Sequence, residues 1–563
     1  MTTKNDWCFE CKLDQKGDYL ALCKELGHDI DADRMFQITN QEVKKMNGIT
    51  EESKQKKENP TKKLAQFATS EMIKICTSES DCTKVYAVVK MSNHFETIEL
   101  DKNNSKATNW LRIRAFDKFH EIFSDETCAS TIGFLKAKAL MNEEIQSEEI
   151  HLRLAYVYDE LYYDLGRADW KLIKISKDNI SFVDYSENTP VFIRTSKTAK
   201  QMEPNLRPDG NSLDEFVKLS RVPNPELFKV HLISMFIEGT PMPIMAIHGH
   251  AGASKSTTSS MIKRVIDPSG RANEYNLKSF PHGEDNFVTS LSGSYFSAYE
   301  NISHIDVDVS NMLCRAVTGG SFEKRTQYTN GDVYTISVKR KILINGIDFT
   351  ISQSDLADRS IIYEMERIPE EQRKTDQSVE ETFKKLLPNL LGEIFLIFQK
   401  VLSSIDSVKD QCKKLPRMAS FGIFGEAIYQ AMGHKQGEFL TLYNESIQKN
   451  LESLYENNPV IPSLDDLLGD KDEVEYPAND LYRQIRNFIE SQGYNSKRIP
   501  QASNGLSNWF TRSKILLDEN NIIVTKYTNK QSRAKSGFTP NATIYNIKRI
   551  TPQQTALDDE LGL

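Results

Sequence analysis

The sequence predicts a multidomain α/β protein, and three observations lead to this fold class. First, 563 residues are too many for one core, because domains usually hold about 100–200 residues. Second, residues 243–367 alternate strand-like and helix-like segments, which is typical of a parallel sheet covered by helices. Third, short β-rich runs precede this segment, and helices followed by two strands come after it.

Changes in composition along the chain predict the domain boundaries. A polar N-terminal segment precedes an α+β domain, a central α/β core, a helical region, an acidic linker, a small C-terminal domain and a tail. In chain order these parts are residues 1–62, 63–210, 211–368, 369–462, 463–475, 476–550 and 551–563.

Composition favours a soluble, reduced, cytoplasmic protein. The net charge of −8 argues against general coating of nucleic acid but allows a local basic site. We expect no apolar run of the roughly 18–20 residues that span a bilayer, and therefore no membrane partner. The N-terminus has no apolar signal-peptide core. Eight cysteines are too sparse for a disulfide scaffold in a chain of this length.

Four N-terminal side chains could bind zinc: Cys8, Cys11, Cys23 and His28. Zinc takes four such ligands in a tetrahedron. However, the last two fall in a helix-like run and no second CxxC follows, so buried thiols are the favoured interpretation. His151, like two other histidines, has no partner at metal-ligand spacing.

The strongest motif is PIMAIHGHAGASKS followed by an amphipathic helix. A strand, a glycine-rich turn and a helix form the context that a phosphate-binding P-loop requires, because loop N–H groups and the helix N-terminus attract phosphate. Lys255 is expected to reach the β- and γ-phosphates of ATP, and the Ser256 hydroxyl to bind Mg²⁺. The residues expected to contact the nucleotide are Gly249, His250, Ala251, Gly252, Ala253, Ser254, Lys255, Ser256 and Thr257.

Ser254 departs from the pattern, since a glycine usually precedes the lysine. Either the serine accepts the local backbone conformation or the loop shifts slightly. The alternative to a P-loop is a chance Gly/Ser-rich turn.

Polar residues at strand ends complete a candidate hydrolysis site. YFSAYENIS predicts a strand ending at Glu300 and Asn301, where Mg²⁺ and the attacking water need an acid. Whether Glu300 holds the metal or acts as a base stays open. KILING ends at Asn345, which could sense the γ-phosphate, and Arg359 in DLADRS could complete a neighbouring subunit's site. The alternatives are an exposed acid, a turn-forming asparagine and a surface Asp–Arg pair.

Between the acid and the asparagine strand, KRTQYTNGDVYTIS predicts a hairpin. Asn330-Gly331 between alternating strands is a type I′ turn signal.

The P-loop, acid, hairpin, asparagine strand and arginine, in this order, resemble AAA+ ring helicases of the superfamily III and MCM-like kinds. In those families the hairpin points into the central pore and grips DNA. The resemblance implies that Asn330 and Gly331 lie near the pore, and that Lys324 and Arg325 touch DNA phosphate or the adjacent subunit. The tip sequence TNGD lacks the lysine often found there.

LCRAVTGGSFEKRTQYTNGD, ILINGIDFTISQSDLADRSIIYEMERI and LPRMASFGIFGEAI look like a more specific group. They resemble the replication initiator (Rep) helicases of staphylococcal pathogenicity islands and the related helicase of the staphylococcal methicillin-resistance cassette, SCCmec. The likeness covers about residues 65–455. It implies a self-loading hexameric helicase that recognises its own element's origin. Glu-Asn at residues 300–301, where many relatives have Asp-Asn, is a departure.

The C-terminal domain has the pattern of a DNA-binding winged helix. Two amphipathic helices precede two strands around a basic excursion, TNKQSRAKSGFTPN. Residues 476–550 hold twelve Lys and Arg and four Asp and Glu, and 12 − 4 gives +8. The expected contacts are Lys530 and Arg533 on the wing with phosphate, and Arg512 and Lys514 on the second helix with the major groove. A solvated protein-interaction domain is the alternative.

The leading hypothesis is an ATP- and Mg²⁺-dependent DNA helicase that initiates replication of a mobile genetic element. It would bind single- and double-stranded DNA and itself, as a homo-hexamer. One alternative is an oligomerising regulatory ATPase that binds DNA without unwinding it. Another is a DNA-binding protein with a decayed P-loop. A small-molecule kinase fits the hairpin, the arginine and the basic domain poorly.

Overall fold

The computed structural model describes residues 7–8, 13–14, 59–270, 277–325, 333–347, 351, 353–457, 460–492, 499–530 and 538–550. The chain divides into two compact units, Met1–Gln66 and Phe67–Leu563. In the first unit, β1 (Trp7–Cys8) pairs antiparallel with β2 (Leu13–Asp14). Cys11, Cys23 and His28 lie outside the described residues, as does the Cys8 side chain, so the zinc hypothesis stays a prediction.

α1 (Pro60–Ser70) crosses the boundary between the two units. A four-stranded sheet with two covering helices follows in the second unit, formed by β3 (Met72–Ser78), β4 (Asp81–Lys90), β5 (Phe95–Glu99), α2 (Ser105–Phe119), α3 (Asp125–Leu140) and β6 (Ser147–Glu148). The strand order is β5-β4-β3-β6. Side chains cap the N-termini of α2 and α3: the Asn104 side chain accepts from the Lys106 N–H, and the Ser124 side chain accepts from the Thr127 N–H.

A β module follows. Its strands are β7 (Ile150–His151), β8 (Leu154–Val157), β9 (Glu160–Asp164), β10 (Leu172–Ile175), β11 (Ile180–Val183) and β12 (Val191–Phe192). β8 to β11 form an antiparallel meander, while β7 and β12 pair in parallel. This agrees with the short alternating runs seen in the sequence, whose polar breaks mark the turns.

A five-stranded, all-parallel sheet forms the centre of the second unit. Its segment contains α4 (Ser212–Ser220), α5 (Pro225–Ser234), β13 (Ile244–Gly249), α6 (Lys255–Ile266), β14 (Lys278–Ser279), α7 (Glu284–Ser292), β15 (Phe296–Glu300), α8 (Val307–Thr318), β16 (Ser321–Arg325), β17 (Val333–Ser337), β18 (Lys341–Gly346), α9 (Ser354–Ala357) and β19 (Ser360–Met365). The strand order is β14-β15-β18-β13-β19. The central strands are apolar and buried because helices cover both faces of a parallel sheet. The predicted α/β class is therefore confirmed.

A buried charge network fixes the β module to α6. Arg153 Nε donates to the Asp267 carboxylate at 2.9 Å, and Lys263 Nζ donates to its other oxygen at 2.8 Å. Burial alone would raise the pKa of Asp267, but the charges of Lys263 and Arg153 lower it to about 2. Buried charges are tolerated when they are paired and hydrogen-bonded, as they are here. The C-terminal end of α6 is therefore anchored to the β module.

A helical region follows the sheet, with α10 (Asp376–Gln411), α11 (Ala419–Ala431) and α12 (Glu438–Asn457). By length and composition α10 could cross a membrane, which corrects the expectation that no apolar run is long enough. However, 61% of its apolar window is buried inside the protein. Its buried side chains, among them Phe383, Leu387, Leu390 and Ile394, recur at helical spacing, as in a core helix.

The C-terminal module contains α13 (Val460–Leu468), β20 (Glu473–Pro477), α14 (Ala478–Ser491), α15 (Leu506–Arg512), α16 (Lys514–Glu519), β21 (Ile522–Thr528) and β22 (Thr543–Arg549). Its antiparallel sheet has the order β20-β22-β21. Residues 463–475, expected to be an acidic linker, instead include most of α13 and the start of β20. Leu464 and Leu468 are buried, while Asp465 and Asp466 lie on the exposed face of the helix.

Candidate functional site

The glycine-rich loop lies between β13 and α6, at the carboxyl edge of the parallel sheet. Gly249 ends β13 with a φ of 141°, and a Cβ there would lie 2.1 Å from the Met365 carbonyl oxygen of β19. Only glycine therefore allows these two strands to approach where the loop begins.

Ser254 accepts the backbone conformation that glycine usually supplies. Its φ and ψ are 56° and 25°, in the left-handed region. For a residue with a Cβ this conformation costs about 1–2 kcal/mol. Of the two alternatives considered from the sequence, the first holds: Ser254 accepts the local backbone conformation, and its own backbone is strained.

Ser254→Gly is expected to raise the thermal unfolding temperature while ATP hydrolysis persists. The relief of strain, about 1 kcal/mol, exceeds the added entropy of the unfolded chain. Gly252→Ala is the matched control: its φ is 81° and a Cβ there meets no atom within 4 Å, so the backbone alone predicts destabilisation. Differential scanning fluorimetry measures both. A lower melting temperature for Ser254→Gly would contradict the strain argument.

Lys255 is the first residue of α6 and is buried. Its ammonium group donates to the carbonyl oxygens of Gly249 at 2.6 Å and His250 at 2.8 Å, so it folds back over the loop. Ser256 and Thr257 follow in the first helical turn and are partly accessible. The cation and the helix N-terminus favour an anion at the same place.

Two further predicted residues reach the same sheet edge. Asn345 is 1% exposed; its amide donates to Ser259 Oγ at 2.8 Å and accepts from the Asn301 N–H at 3.3 Å. Glu300 ends β15, which pairs with β18. Since strands lie about 4.8 Å apart, Glu300 is one strand from Asn345 and roughly 10 Å from the P-loop strand. The structure thus brings loop, amide and acid to one edge.

A cavity of about 510 Å³ opens beside the loop, within the usual range for ligand sites. Its cationic lining comprises Lys218, Arg221, Arg367, Arg373 and Lys374, and its apolar lining comprises Leu219, Met261, Ile368 and Val379. None of these residues was singled out from the sequence. Among these residues, only Arg367 could have been found from the sequence. It follows the carboxyl end of β19, a strand that is parallel to β13 and therefore ends at the same edge of the sheet.

Arg359 lies at the opposite edge of the sheet. It precedes β19, and its carbonyl oxygen accepts from the N–H of Ile244, the first residue of β13, at 2.7 Å. The six residues of β13 rise about 3.3 Å each, so roughly 20 Å separates this position from the loop. Arg359 therefore does not reach its own subunit's loop. Its guanidinium donates to the Asp355 carbonyl oxygen at 2.9 Å and pairs with the Asp355 carboxylate.

The predicted DNA-contacting hairpin is described only in its two arms. β16 and β17 pair antiparallel, from Ser321 opposite Ser337 to Arg325 opposite Val333. Lys324 and Arg325 lie near the outer end of β16, and their side chains are outside the described part. Asn330 and Gly331 lie outside it altogether.

The C-terminal cations are placed in part. Lys514 begins α16 and Lys530 follows β21, and both are exposed. Arg512 ends α15 without a described side chain, and Arg533 is not among the described residues. The two exposed lysines are available to an anionic partner.

A second polar cluster lies away from the loop. Glu149, His151 and Glu238 each bring one possible metal-ligand atom within 4.8 Å of the others, although Glu238 is distant in sequence from the other two. His151 Nδ1 lies 2.8 Å from the Glu238 carboxylate; burial lowers the His151 pKa, but this bond and charge raise it overall. Arg340 and Lys341 also balance Glu238 electrostatically. We interpret the cluster as a structural ion pair that links β7 to the segment after α5.

Comparisons with known proteins relate the central segment to replication. A sequence-family model described as "Actinomycete integrative conjugative element replication protein" matches residues 213–448, which is less than half of the chain. No curated protein matches.

Two solved structures show general similarity. One is titled "SCCmec type IV Cch - active helicase" (12% identity, TM-score 0.42, covering 87% of this chain and 94% of that one). The other is the apo NrS-1 C-terminal region (12% identity, TM-score 0.35, covering 87% and 99%). Neither similarity carries an argument about function.

Proposed function

We propose that this protein is an AAA+ ATP-driven DNA helicase that initiates replication of a mobile genetic element as a homo-hexameric ring in the cytoplasm. One observation carries the proposal: the residues suited to ATP hydrolysis lie at two opposite edges of one sheet. Lys255, Asn345 and Glu300 share the carboxyl edge, and Arg359 lies about 20 Å away. A complete site then requires the loop of one copy and the arginine of the next, a head-to-tail contact that generates rings.

The carboxyl edge has the groups needed for a nucleoside triphosphate. Lys255 and the α6 N-terminus would face the phosphates, and the adjoining cavity offers apolar side chains for the base and cations for the remaining charge. Ser256 and Glu300 supply a hydroxyl and a carboxylate oxygen, which are ligands that Mg²⁺ accepts. When bound, Mg²⁺ neutralises charge on the phosphates. Asn345 is held by two hydrogen bonds and would position the attacking water.

The parts beyond the sheet support action on DNA. We assign α13 to α16 and the sheet β20-β22-β21 to a winged helix; the order of helices followed by β21 and β22 and the strongly basic composition of residues 476–550 support this assignment. β16 and β17 pair antiparallel as the two arms of the predicted DNA-contacting hairpin. The replication-protein match over residues 213–448 agrees with this assignment. We also propose that the protein is related to the replication initiator helicases of staphylococcal pathogenicity islands, as the sequence resemblance implies.

A forked-DNA assay tests the proposal. The full chain is incubated with a fork labelled on one strand, with ATP or a non-hydrolysable analogue, while phosphate release is measured in parallel. We expect strand displacement only with ATP and only from the protein with Lys255. Phosphate release without displacement would favour the regulatory ATPase. The absence of both would favour a decayed P-loop.

Lys514→Ala with Lys530→Ala is expected to weaken DNA binding through charge alone. If each lysine neutralises one phosphate, the slope of log affinity against log salt becomes less steep by about 0.9 for each lysine removed. ATP hydrolysis without DNA should stay unchanged. Fluorescence anisotropy at several salt concentrations measures the slope. Lys413→Ala with Lys414→Ala removes two exposed lysines outside this module and serves as control. An equal change in slope for this control would contradict a specific DNA contact by Lys514 and Lys530.

A further inference from the structure

We propose that Arg417 is a second arginine that each subunit presents to its neighbour's nucleotide, together with Arg359. This inference rests on the proposed function, since it assigns a further residue to the same composite site. Arg417 lies in the connection between α10 and α11, 58 positions after Arg359 in the sequence and within the segment LPRMASFGIFGEAI.

Shared carboxylates place the two arginines together. Arg417 Nη2 pairs with the Asp355 carboxylate, the same group that pairs with Arg359. Arg417 Nη1 donates to the Asp358 carboxylate at 2.8 Å. The two aspartates belong to the short segment that leads into β19. Arg417 therefore lies at the amino edge of the sheet, on the side away from its own loop.

The exposure of Arg417 allows it to meet another copy beside Arg359. Its side chain is 42% exposed, whereas that of Arg359 is 17% exposed. A guanidinium has five N–H donors in a planar fork, so Arg417 can keep its carboxylate bonds and still donate to a phosphate oxygen. Two aspartates fix the fork before any neighbour arrives, which reduces the ordering cost of the contact. Arg359 is less exposed but pairs with the same Asp355 carboxylate, so both guanidinium groups lie at the same edge.

The charge balance fits the same role. The two arginines and the two aspartates together carry no net charge in a free subunit. Burial opposes ionisation of Asp355, but the Arg359 hydrogen bond and the charges of both arginines lower its pKa. The Asp355 carboxylate therefore remains ionised and pairs with both arginines at neutral pH. A triphosphate brought close by a neighbouring copy is a far stronger anion, and charge-assisted bonds to phosphate are among the strongest available to arginine.

Steady-state ATP hydrolysis by the full chain tests the proposal. Arg417→Ala should lower kcat at least about tenfold with little change in KM, because the arginine acts on transition-state charge in another subunit's site. Arg417→Lys should recover little, because lysine lacks the planar fork. Lys414→Ala, three residues away and exposed, is the matched control and should leave kcat unchanged.

Mixing variants separates a role in trans from a structural role. Arg417→Ala retains a working loop, and Lys255→Ala retains Arg417, so mixed assemblies contain interfaces with both and should regain hydrolysis. A kcat for Arg417→Ala within twofold of the wild type, or a loss that mixing does not restore, would overturn the inference. If the alanine variant does not fold, Arg417→Gln keeps a donor for Asp358 without the charge. A wild-type chain without hydrolysis would instead overturn the proposed function itself.

Discussion

Lys255→Ala is expected to abolish ATP hydrolysis, with kcat falling at least about 100-fold, as when a preorganised charge at a reacting centre is removed. The Lys255 ammonium is the buried cation at the tip of the loop, held over it by two carbonyl oxygens. Phosphate release from the purified chain at saturating ATP measures the effect.

The folded state should survive this substitution. Water that enters the space left by the shortened side chain can replace the ammonium as donor to the two carbonyl oxygens. Thr258 Oγ1 still donates to the Ser220 carbonyl oxygen at 2.9 Å and keeps α6 against α4. Circular dichroism and the melting temperature should therefore match the wild type. Lys400→Ala, an exposed lysine on α10, controls for charge removal. Undiminished turnover by Lys255→Ala would place the reaction elsewhere.

The local part of this site could be predicted from the sequence because its geometry is local. A strand, a glycine-rich turn and a helix are contiguous, so PIMAIHGHAGASKS predicts where Lys255 lies without any tertiary information. The ends of β15 and β18 could likewise be predicted from the sequence, since each strand is a short apolar run that stops at a polar residue. Strand order then brings Glu300 and Asn345 together, and the parallel pattern predicts that shared edge.

The missed residues come from segments that meet only in the folded chain. Arg221 follows α4, Arg367 follows β19 and Arg373 precedes α10, yet all three line one cavity. The same reason hides Arg417, whose partners Asp355 and Asp358 lie on another segment. No periodicity or spacing connects such residues, because tertiary packing alone decides their proximity.

The acidic segment shows a different kind of error. Average composition over residues 463–475 suggested a linker, but the apolar residues in and just before it recur at helical spacing. Val460, Ile461, Leu464 and Leu468 form one buried stripe of α13, and the aspartates occupy the opposite face. Periodicity was therefore the better guide than composition.

Arg359→Ala is expected to reduce ATP hydrolysis by about 10³–10⁵-fold, the range found when an arginine that completes a phosphoryl-transfer site is removed. The geometry assigns this effect to a neighbour. Arg359 lies about 20 Å from its own loop, the length of β13. The free subunit should remain folded, because Asp355 keeps Arg417 as a partner when Arg359 is replaced.

Mixing Arg359→Ala with inactive Lys255→Ala should restore hydrolysis, although each variant is inactive alone. In a randomly mixed ring of equal parts, about a quarter of head-to-tail interfaces join an intact loop to an intact arginine. Activity should therefore approach about a quarter of the wild-type value and follow the product of the two fractions as the ratio varies. If Arg359 acted within its own subunit, every mixture would stay inactive, because no single chain would carry both residues. Restoration thus depends on the neighbour's arginine, as the opposite-edge geometry requires.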